Sequence, residues 1–283
     1  WATLMLKTIS INLNTDSITG IPRTCSRNLF MIKVGISGAN GTMGRLTIDA
    51  VGKTSDLSIG GLYAPGREVE EILGYKASAN PAVLSGCDII VEFTNPAAAD
   101  ENLPRWCDSG ADVLVGTSGY TTARIDALRE LWTGMESRCL VVPNFSIGAV
   151  LMMRFAELAS PHFESAEIIE MHHHDKPAAP SGTALHTAAR MAAARKHEQH
   201  SRGQEIVQGA LGADVEGIPV HSLRTHGAKA HQEVVLGKRG EYLTLRHDTT
   251  DYACFAPGVL LALRSMNSME AGVSVGLEQL LGV

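Results

Sequence analysis

Three closely spaced glycines near the start of the chain have a spacing that suits nucleotide chemistry. They lie in GANGTMG, residues 38–44, directly after the apolar run MIKVGIS, and form the pattern G-x-x-G-x-x-G. Glycine lets the chain turn tightly there, so that backbone N–H groups approach a pyrophosphate at the positive end of the following helix. The pattern predicts a dinucleotide site, although glycine-rich turns also occur without a ligand.

A second group of reactive side chains lies in EMHHHDKPAAPSGTA, residues 170–184. Three adjacent imidazoles and a lysine precede a predicted helix that Ser181 would cap. The N–H groups of Gly182 and Thr183 would then be free to bind a carboxylate. Imidazole has an unperturbed pKa of ~6.5 and transfers protons near neutrality. The segment therefore predicts an anion pocket beside a general acid.

A metal site is the alternative function for the same segment, with His172, His174 and Asp175 as ligands. On an extended strand His172 and His174 would share one face, and His173 would point away. That arrangement supplies two ligands without a third in fixed geometry, and the i, i+4 spacing of a helical zinc pair is absent. We therefore expect no metal centre.

The elements that must position these residues alternate in type from Met31 to Phe145. Apolar runs without period-two alternation are typical of parallel strands covered on both faces, and helical segments separate several of them. We predict an α/β fold with a Rossmann-like, doubly wound parallel sheet. Its predicted strands are MIKVGIS, LSIGGLY, CDIIVEF, DVLVGTS and CLVVPNF.

The segment after Phe145 has a different pattern and predicts a smaller α+β domain. The helix SIGAVLMMRFAELASPHF, the strand SAEIIEMHHH and the Ala-rich helix GTALHTAARMAAARKHEQ come first. The hairpin EVVLGKRGEYLTLRH, with its turn at Lys238-Arg239-Gly240, indicates antiparallel pairing in a mixed, mostly open sheet rather than further βαβ units. We expect a dinucleotide-binding domain at 31–147 and 255–283, and a substrate-binding and oligomerisation domain at 148–254.

Composition excludes several classes of partner. The formal net charge is -6, which gives no basic footprint for nucleic acid or an anionic membrane, and no apolar run is long enough for a membrane span. The five cysteines, Cys25, Cys87, Cys107, Cys139 and Cys254, form no C-x-x-C pair and predict free thiols in a reducing cytoplasm. We expect residues 1–30 to be a non-native or poorly ordered extension before Met31, with a short transit peptide as the alternative.

From Met31 onward the chain resembles the 4-hydroxy-tetrahydrodipicolinate reductase family, also called dihydrodipicolinate reductases, of bacterial lysine and diaminopimelate biosynthesis. The segments IPVHSLR and FAPGVLLA resemble the sequences of the actinobacterial branch. Ala178 stands where the family usually has Asp, so a role of that carboxylate in orienting the loop is expected to be lost or supplied elsewhere. The motifs that establish the resemblance, in order, are GANGTMG, VEFTNP, VGTSGY, VPNFSIGAV, EMHHHDKPAAPSGTA, IPVHSLRTHG and AHQEVVLG.

The resemblance implies reduction of a small cyclic imine dicarboxylate by NADPH or NADH, in a homotetramer assembled through the sheet of the second domain. It implies that His172 donates and accepts the proton and that Lys176 is a second proton donor. The substrate-binding positions implied are His173, Ser181, Gly182 and Thr183. The cofactor-binding positions implied are Gly38, Ala39, Asn40, Gly41, Thr42, Met43, Gly116, Thr117, Ser118, Val142, Pro143, Asn144 and Phe145.

Two other functions remain as alternatives. Another two-domain NAD(P)-dependent dehydrogenase would share the nucleotide domain, but those that form a thioester with an aldehyde need a nucleophilic cysteine, and none of the five lies in such a motif. A non-enzymatic NAD(P)-sensing module would use the glycines and leave His172, Lys176 and the Ser181 turn without a role.

Arg67 provides a test of cofactor choice. The acidic residue that would bind the ribose diol after the second strand is missing, since the sequence there is Tyr63-Ala64-Pro65-Gly66-Arg67. Arg67→Ala should weaken NADPH binding by roughly 1–3 kcal/mol, because it removes a charge-assisted contact to the 2′-phosphate, and should leave NADH binding nearly unchanged. Fluorescence titration with each cofactor measures this, and equal losses would contradict a phosphate-binding role.

Overall fold

The structure, a computed structural model, describes residues 31–66, 71–195 and 203–283. The expected extension at 1–30, with Cys25, and Arg67 lie outside the described residues. Residues 31–283 form one unit by their contacts. Within the described ranges, no helix combines the length and apolar character needed to cross a membrane.

Thirteen strands and seven helices follow one another along the described chain, besides short 3₁₀ turns. Their order and bounds are β1 (Ile32–Ser37), α1 (Thr42–Gly52), β2 (Leu57–Tyr63), β3 (Glu71–Ile72), β4 (Tyr75–Lys76), β5 (Ile89–Glu92), α2 (Pro96–Asp108), β6 (Asp112–Val115), α3 (Thr122–Leu131), β7 (Arg138–Val141), α4 (Ile147–Ala159), β8 (Ser165–His172), α5 (Gly182–Ala194), β9 (Ala213–Val215), β10 (Ile218–Arg224), β11 (Ala230–Lys238), β12 (Glu241–Thr249), α6 (Ala256–Ser265), β13 (Gly272–Val275) and α7 (Glu278–Leu281).

The first sheet is parallel throughout and has the strand order β13-β7-β6-β5-β1-β2. Each face is covered by an apolar cluster. One cluster includes Val34 of β1 and Ile48 of α1, and the other includes Trp106 of α2. Both faces are therefore dry, which explains why the strands have continuous apolar sequences. The order reverses between β1 and β5, where ligands bind in doubly wound sheets. The predicted Rossmann-like fold is confirmed.

The second sheet has the order β12-β11-β8-β10-β9 and is mixed, as predicted. One face packs on an apolar cluster to which α4 contributes Ala156 and α5 contributes Ala184 and Met191. The predicted hairpin is present, with Lys238 paired to Glu241 and Gly240 at a φ of 91°. The expectation of no further βαβ unit is wrong, because β8 and β10 are parallel neighbours joined by a crossover through α5.

After β12 the chain returns to the first sheet. The apolar run GVLLALRSM, residues 258–266, predicts a final helix there, and α6 corresponds to it. The structure adds β13, which pairs with β7 at the edge of the sheet, and the short helix α7. Four residues that begin at a glycine are too short to give a periodic signal, so only pairing with β7 identifies β13 as a strand.

The four described cysteines are free thiols, as predicted. Cys87, Cys107 and Cys139 are buried in the cluster around Trp106. Burial raises the pKa of each of these three thiols, so they stay protonated at neutral pH. None of the three is a nucleophile of the kind that a thioester-forming dehydrogenase requires.

Candidate active site

A cleft of about 310 Å³ lies between the carboxyl edge of the first sheet and the second sheet. Loops after parallel strands meet at such an edge, which makes it the usual ligand site of the fold. The residues that line the cleft are Met43, Gly116, Val142, Pro143, Asn144, Phe145, Ser146, Ala149, Met152, His172, Ser181, Thr183, Ala230, His231, Gln232, His247, Thr249 and Phe255.

The glycine turn between β1 and α1 is closed so tightly that side chains do not fit in it. Gly38 has a φ of 82°, and a Cβ there would lie 2.7 Å from the backbone carbonyl of Phe93. A Cβ on Gly44 would overlap the carbonyl oxygen of Gly38. The turn therefore requires glycine at both positions, for its φ at the first and for close packing of helix on loop at the second.

Hydrogen bonds within the glycine turn determine which N–H groups remain for a ligand. The N–H groups of Gly38 and Ala39 donate to Tyr63 O at 2.9 and 3.0 Å, and that of Gly41 donates to Gly38 O at 3.0 Å. No side chain of the described residues caps α1. Donors in the first turn of a helix have no intrahelical acceptor. In this turn, the N–H groups of Asn40, Thr42, Met43 and Gly44 have no hydrogen-bond acceptor among the described residues.

The loops after β6 and β7 form the wall of the cleft opposite the glycine turn. Gly116 packs between the rings of Phe93 and Phe145, whose centroids are 5.6 Å apart, so a side chain there would displace an aromatic ring. Buried Thr117 does not line the cleft, and its hydroxyl is within hydrogen-bond distance of Glu92 O and Thr94 O, at 3.2 and 3.1 Å, while Ser118 is exposed. The loops therefore present Gly116 and residues 142–145 to the cleft.

Strand β8 ends at His172, and the two following histidines lie in a turn. The expectation that His172 and His174 share a strand face is therefore wrong, because the chain leaves the sheet between them. His174 is exposed and packs on His226, with ring centroids 4.8 Å apart. No three His, Cys, Asp or Glu side chains of the described residues come together as metal ligands.

Glu170 makes the densest set of polar contacts in the site. Its carboxylate is fully buried, and Oε2 lies 2.5 Å from Nδ1 of His172. Arg224 donates to both carboxylate oxygens, at 3.0 and 2.9 Å, and the N–H of Ser181 donates to Oε1 at 3.2 Å. Burial alone would raise the pKa of Glu170, but the donors, Arg224 first among them, hold its pKa below the ordinary value. Glu170 is therefore ionised.

This pairing sets the state of the His172 ring. Burial lowers the pKa of His172, and the positive charges of Lys176 and Arg224 act in the same direction, against the carboxylate of Glu170. The ring is therefore neutral at neutral pH. Because an ionised carboxylate only accepts, Nδ1 of His172 bears the proton, and Nε2 is the nitrogen available to a ligand in the cleft.

Helix α5 begins as the sequence predicts. The Ser181 hydroxyl accepts the N–H of Ala184 at 3.2 Å, which caps the helix. The N–H groups of Gly182 and Thr183 are left for an anion, and Thr183 lines the cleft. Across the cleft, Asn144 donates its side-chain amide to the Thr183 hydroxyl at 3.4 Å.

Three of the predicted substrate-side residues do not line the cleft: His173, Lys176 and Gly182. Lys176 is half-buried in the loop between β8 and α5, near enough to His172 for its charge to act on that ring. The carbonyl oxygen of Ala178, where an orienting carboxylate was expected to be lost, accepts a hydrogen bond of 2.7 Å from Arg224. The orientation of this loop is thus supplied by Arg224.

Sequence reasoning missed several polar residues of the site. Gln232 is 5% exposed and donates to the Thr187 hydroxyl at 2.7 Å, while its Oε1 has no partner within the described ranges. Glu170 and Gln232 both occupy positions where their strands otherwise bury apolar side chains. A polar residue at a strand position that continues the two-residue alternation of buried apolar side chains is the signal that could have identified them. His231, His247 and Arg224 have no such local signal.

Comparisons with known proteins agree across almost the whole described chain. The family models described as "Dihydrodipicolinate reductase, N-terminus" and "Dihydrodipicolinate reductase, C-terminus" match residues 32–145 and 148–281. A 4-hydroxy-tetrahydrodipicolinate reductase of Mycobacterium sp. (strain JLS) is 44% identical over 256 residues, which are 88% of this chain and 99% of that relative. One of Cutibacterium acnes is 43% identical over 258 residues, which are 89% of this chain and 100% of that relative.

Solved structures give the same result. A dipicolinate-bound dihydrodipicolinate reductase from Paenisporosarcina sp. TG-14 superposes with a TM-score of 0.77 and 34% identity, over 88% of this chain and 99% of that chain. An engineered D-amino acid dehydrogenase bound to NADP+ has a TM-score of 0.55 and 14% identity, over 88% and 95% of the chains. The second likeness shows a shared fold only.

The buried ion pair leads to a stability prediction. Arg224→Met leaves the Glu170 carboxylate without its main partner and should lower the free energy of unfolding at pH 7 by about 3–5 kcal/mol. The pKa of Glu170 is lowered by folding, so its stabilisation is present above the unfolded-state pKa and is lost as the pH falls through the folded-state pKa. Urea unfolding at several pH values should therefore show a smaller difference between variant and parent in acid.

Arg129→Met is the matched control for this experiment. Arg129 pairs with Asp126 at 2.8 Å on the surface, where both side chains are 57% exposed. Exposed pairs contribute about 0–1 kcal/mol, so this variant should unfold nearly like the parent. Equal losses in the two variants would contradict the importance of burial.

Proposed function

The chain belongs to the dihydrodipicolinate reductase family, and we propose that its cleft carries out the family's reaction with His172 and Lys176 as proton donors. The reaction is the NAD(P)H-dependent reduction of 4-hydroxy-tetrahydrodipicolinate, via dihydrodipicolinate, to tetrahydrodipicolinate in lysine and diaminopimelate biosynthesis. The observation that best supports these roles is the position of His172, which lies in the cleft with Nδ1 held by a buried carboxylate.

The residues present suit a dinucleotide. The unpartnered N–H groups at the start of α1 provide donors for the pyrophosphate, and the tight glycine turn leaves room for it to approach. Ala64, the residue after β2, is buried and uncharged, so it neither attracts ribose hydroxyls nor repels a 2′-phosphate. NADPH and NADH are both accommodated. When bound, the reduced dinucleotide supplies the hydride that reaches ring C4 of the conjugated imine formed by loss of the 4-hydroxyl group.

The substrate's carboxylates are assigned to the start of α5. The N–H groups of Gly182 and Thr183 and the hydroxyl of Thr183 are donors at the positive end of that helix. His173 and Lys176 lie in the preceding loop, outside the lining of the cleft, and their proposed roles rest on the family. Because the Ser181 N–H also donates to Glu170, the same turn that binds the carboxylate is joined to His172.

Reduction at C4 leaves an enamine that must be protonated at the neighbouring ring carbon, and His172 Nε2 is assigned to that step. The ring is neutral in the free enzyme, but a bound dicarboxylate adds negative charge beside it, and that charge favours the imidazolium form. Glu170 stabilises the imidazolium from the other side at 2.5 Å. Lys176 compensates the negative charge of the substrate and is assigned the second proton, which the 4-hydroxyl group takes as it leaves as water.

The other functions fit the site less well. A dehydrogenase that works through a thioester gains no nucleophile from the three buried thiols, and a sensing module has no use for a histidine paired with a buried acid. The rate of NADPH oxidation separates these possibilities. It is measured from the loss of NADPH absorbance, with and without freshly generated substrate. Substrate-dependent oxidation supports the reductase, and binding of NADPH without turnover would indicate the sensing module.

Location and assembly complete the proposal. A cytoplasmic enzyme agrees with free, buried thiols in the described residues. A homotetramer through the outer face of the second sheet would cover Leu223 and Tyr242, which are 40% and 76% exposed. Light scattering of the purified protein measures the oligomeric state directly, and a monomeric mass would rule this assembly out.

We predict that the two proposed domains close on ligands, with hinges at residues 146–149 and near Phe255. Hydride transfer requires that the two reacting carbons lie about 3–3.5 Å apart and that water is excluded. Small-angle scattering should therefore show a smaller radius of gyration when cofactor and dipicolinate are both present. An unchanged radius would contradict closure.

Substitutions in the histidine segment test the roles of its residues. His172→Ala and Lys176→Ala should each lower kcat by about 10²–10⁴-fold, as expected for loss of a general acid. Thr183→Val should mainly raise KM, because it removes a contact to a substrate carboxylate and no proton donor. Steady-state kinetics and NADPH titrations measure these effects, and cofactor affinity should stay within about a few-fold, since the glycine turn is untouched.

His174→Ala is the control in this series, because that imidazole is exposed, packs on His226 and should be dispensable. If His174→Ala abolished activity and a chelator inactivated the parent protein, a metal centre would replace the present assignment.

A further inference from the structure

We propose that Glu170 is a positioning residue, which holds His172 in its Nδ1-protonated form with Nε2 toward the cleft and joins that ring to the carboxylate-binding start of α5. This inference rests on the proposed role of His172 as the proton donor. It assigns a task to a buried acid that does not itself touch the substrate.

The chain places Glu170 where it contacts the catalytic ring and the substrate turn together. Positions 170 and 172 lie on the same face of β8, so the carboxylate reaches Nδ1 at 2.5 Å. Its other oxygen accepts the N–H of Ser181 at 3.2 Å, in the residue that caps α5. One rigid group therefore sets the distance between the imidazole and the N–H donors of Gly182 and Thr183.

Arg224 fixes the carboxylate in turn. The parallel pairing of β10 with β8 puts Arg224 opposite His172, and its two terminal nitrogens donate to the two oxygens of Glu170. One of these nitrogens also donates to Ala178 O at 2.7 Å, which ties down the loop that contains Lys176. With Glu170 fully buried, this fork leaves the carboxylate little freedom to rotate.

The alternative is that Glu170 serves stability alone. A purely structural carboxylate could take its donors from any neighbouring segment, but besides Arg224 two of the donors to Glu170 are the His172 ring and the Ser181 N–H. Both extra contacts point to the two functional elements of the proposed site. A structural role would also leave the protonation of His172 unaffected, and this difference can be measured.

The groups that face His172 determine the expected pH effect. They are Glu170 on β8, Arg224 on β10, Lys176 in the following loop, and His231 and His247, which line the same cleft from β11 and β12. Glu170 supplies the negative charge among them. Without it, the imidazolium form of His172 loses its counter-charge while the neighbouring cations remain, so the ring releases its proton at lower pH.

Glu170→Gln tests the proposal, because it removes the charge and keeps the shape. We expect kcat to fall at least about tenfold with a smaller change in KM, since the acid acts on charge that develops during turnover. The fall of kcat/KM with rising pH, which follows deprotonation of His172, should move to lower pH by roughly one to three units. Nitrogen-15 NMR of His172 should show loss of the single Nδ1-protonated tautomer.

Glu167→Gln is the matched control. Glu167 lies on the same strand, three residues away and on the other face, and contacts His221 Nε2 at 2.8 Å, so it is also a Glu–His pair. Its side chain and that of His221 are about one-third exposed. The variant should keep the parent's kcat and pH profile.

A double variant separates positioning from other effects. In the His172→Ala background, Glu170→Gln should cause little further loss of kcat, because there is no ring left to position. If instead Glu170→Gln alone left kcat, the pH profile and the tautomer unchanged, while His172→Ala lost activity, the inference would be overturned and the proposed function kept. Full activity in His172→Ala would overturn the proposed role of His172 itself.

Should Glu170→Gln not fold, Glu170→Asp answers the same question. The shorter carboxylate keeps the charge but moves it away from Nδ1, so kcat should fall while the pH profile stays close to that of the parent. An unchanged kcat in Glu170→Asp would contradict the positioning role.

Discussion

A single buried carboxylate, that of Glu170, is the contact on which the geometry of the site depends. Its charge is removed from water and is stabilised by donors from other residues: the His172 ring, the Arg224 guanidinium, the Ser222 hydroxyl and the Ser181 N–H. A buried charge is costly unless it is paired and hydrogen-bonded. The segments that carry these donors are therefore held in one arrangement, and that arrangement is the substrate side of the cleft.

The topology of the second sheet makes this convergence possible. Strands β8 and β10 are parallel, so their carboxyl ends meet and Arg224 comes to lie opposite His172. The crossover helix α5 then starts at the same edge and directs its free N–H groups to the cleft. Strand β11 runs antiparallel to β8 and brings Gln232 next to Glu170. A sheet of antiparallel hairpins alone would have no such shared edge, because its strand ends alternate.

The nucleotide side is built on different physics. Residues 38–44 contain no charged side chain. Close packing holds the shape of this glycine turn, with Gly38 against Phe93 and Gly44 against Gly38. The packing turns unpaired N–H groups outward at the start of α1, where the helix dipole favours an anion. Asn144 and Thr183 connect the two sides across the cleft. The cleft thus combines a rigid, closely packed turn on one side with a charged, hydrogen-bonded network on the other.

The sequence by itself determined the features that depend on local spacing. The glycine turn, the apolar strands of the first sheet, the hairpin at Gly240 and the Ser181 cap each follow from a few neighbouring residues, and the order of motifs identified the family. The point at which β8 leaves the sheet, the parallel pairing of β10, the strand β13 and the roles of Glu170, Arg224 and Gln232 were decided by tertiary structure. Glu170 and Arg224 are separated by 54 positions in the chain, and only strand pairing brings them together. Periodicity and capping report on a residue's neighbours in sequence, whereas register and the burial of a charge depend on which distant strands pair.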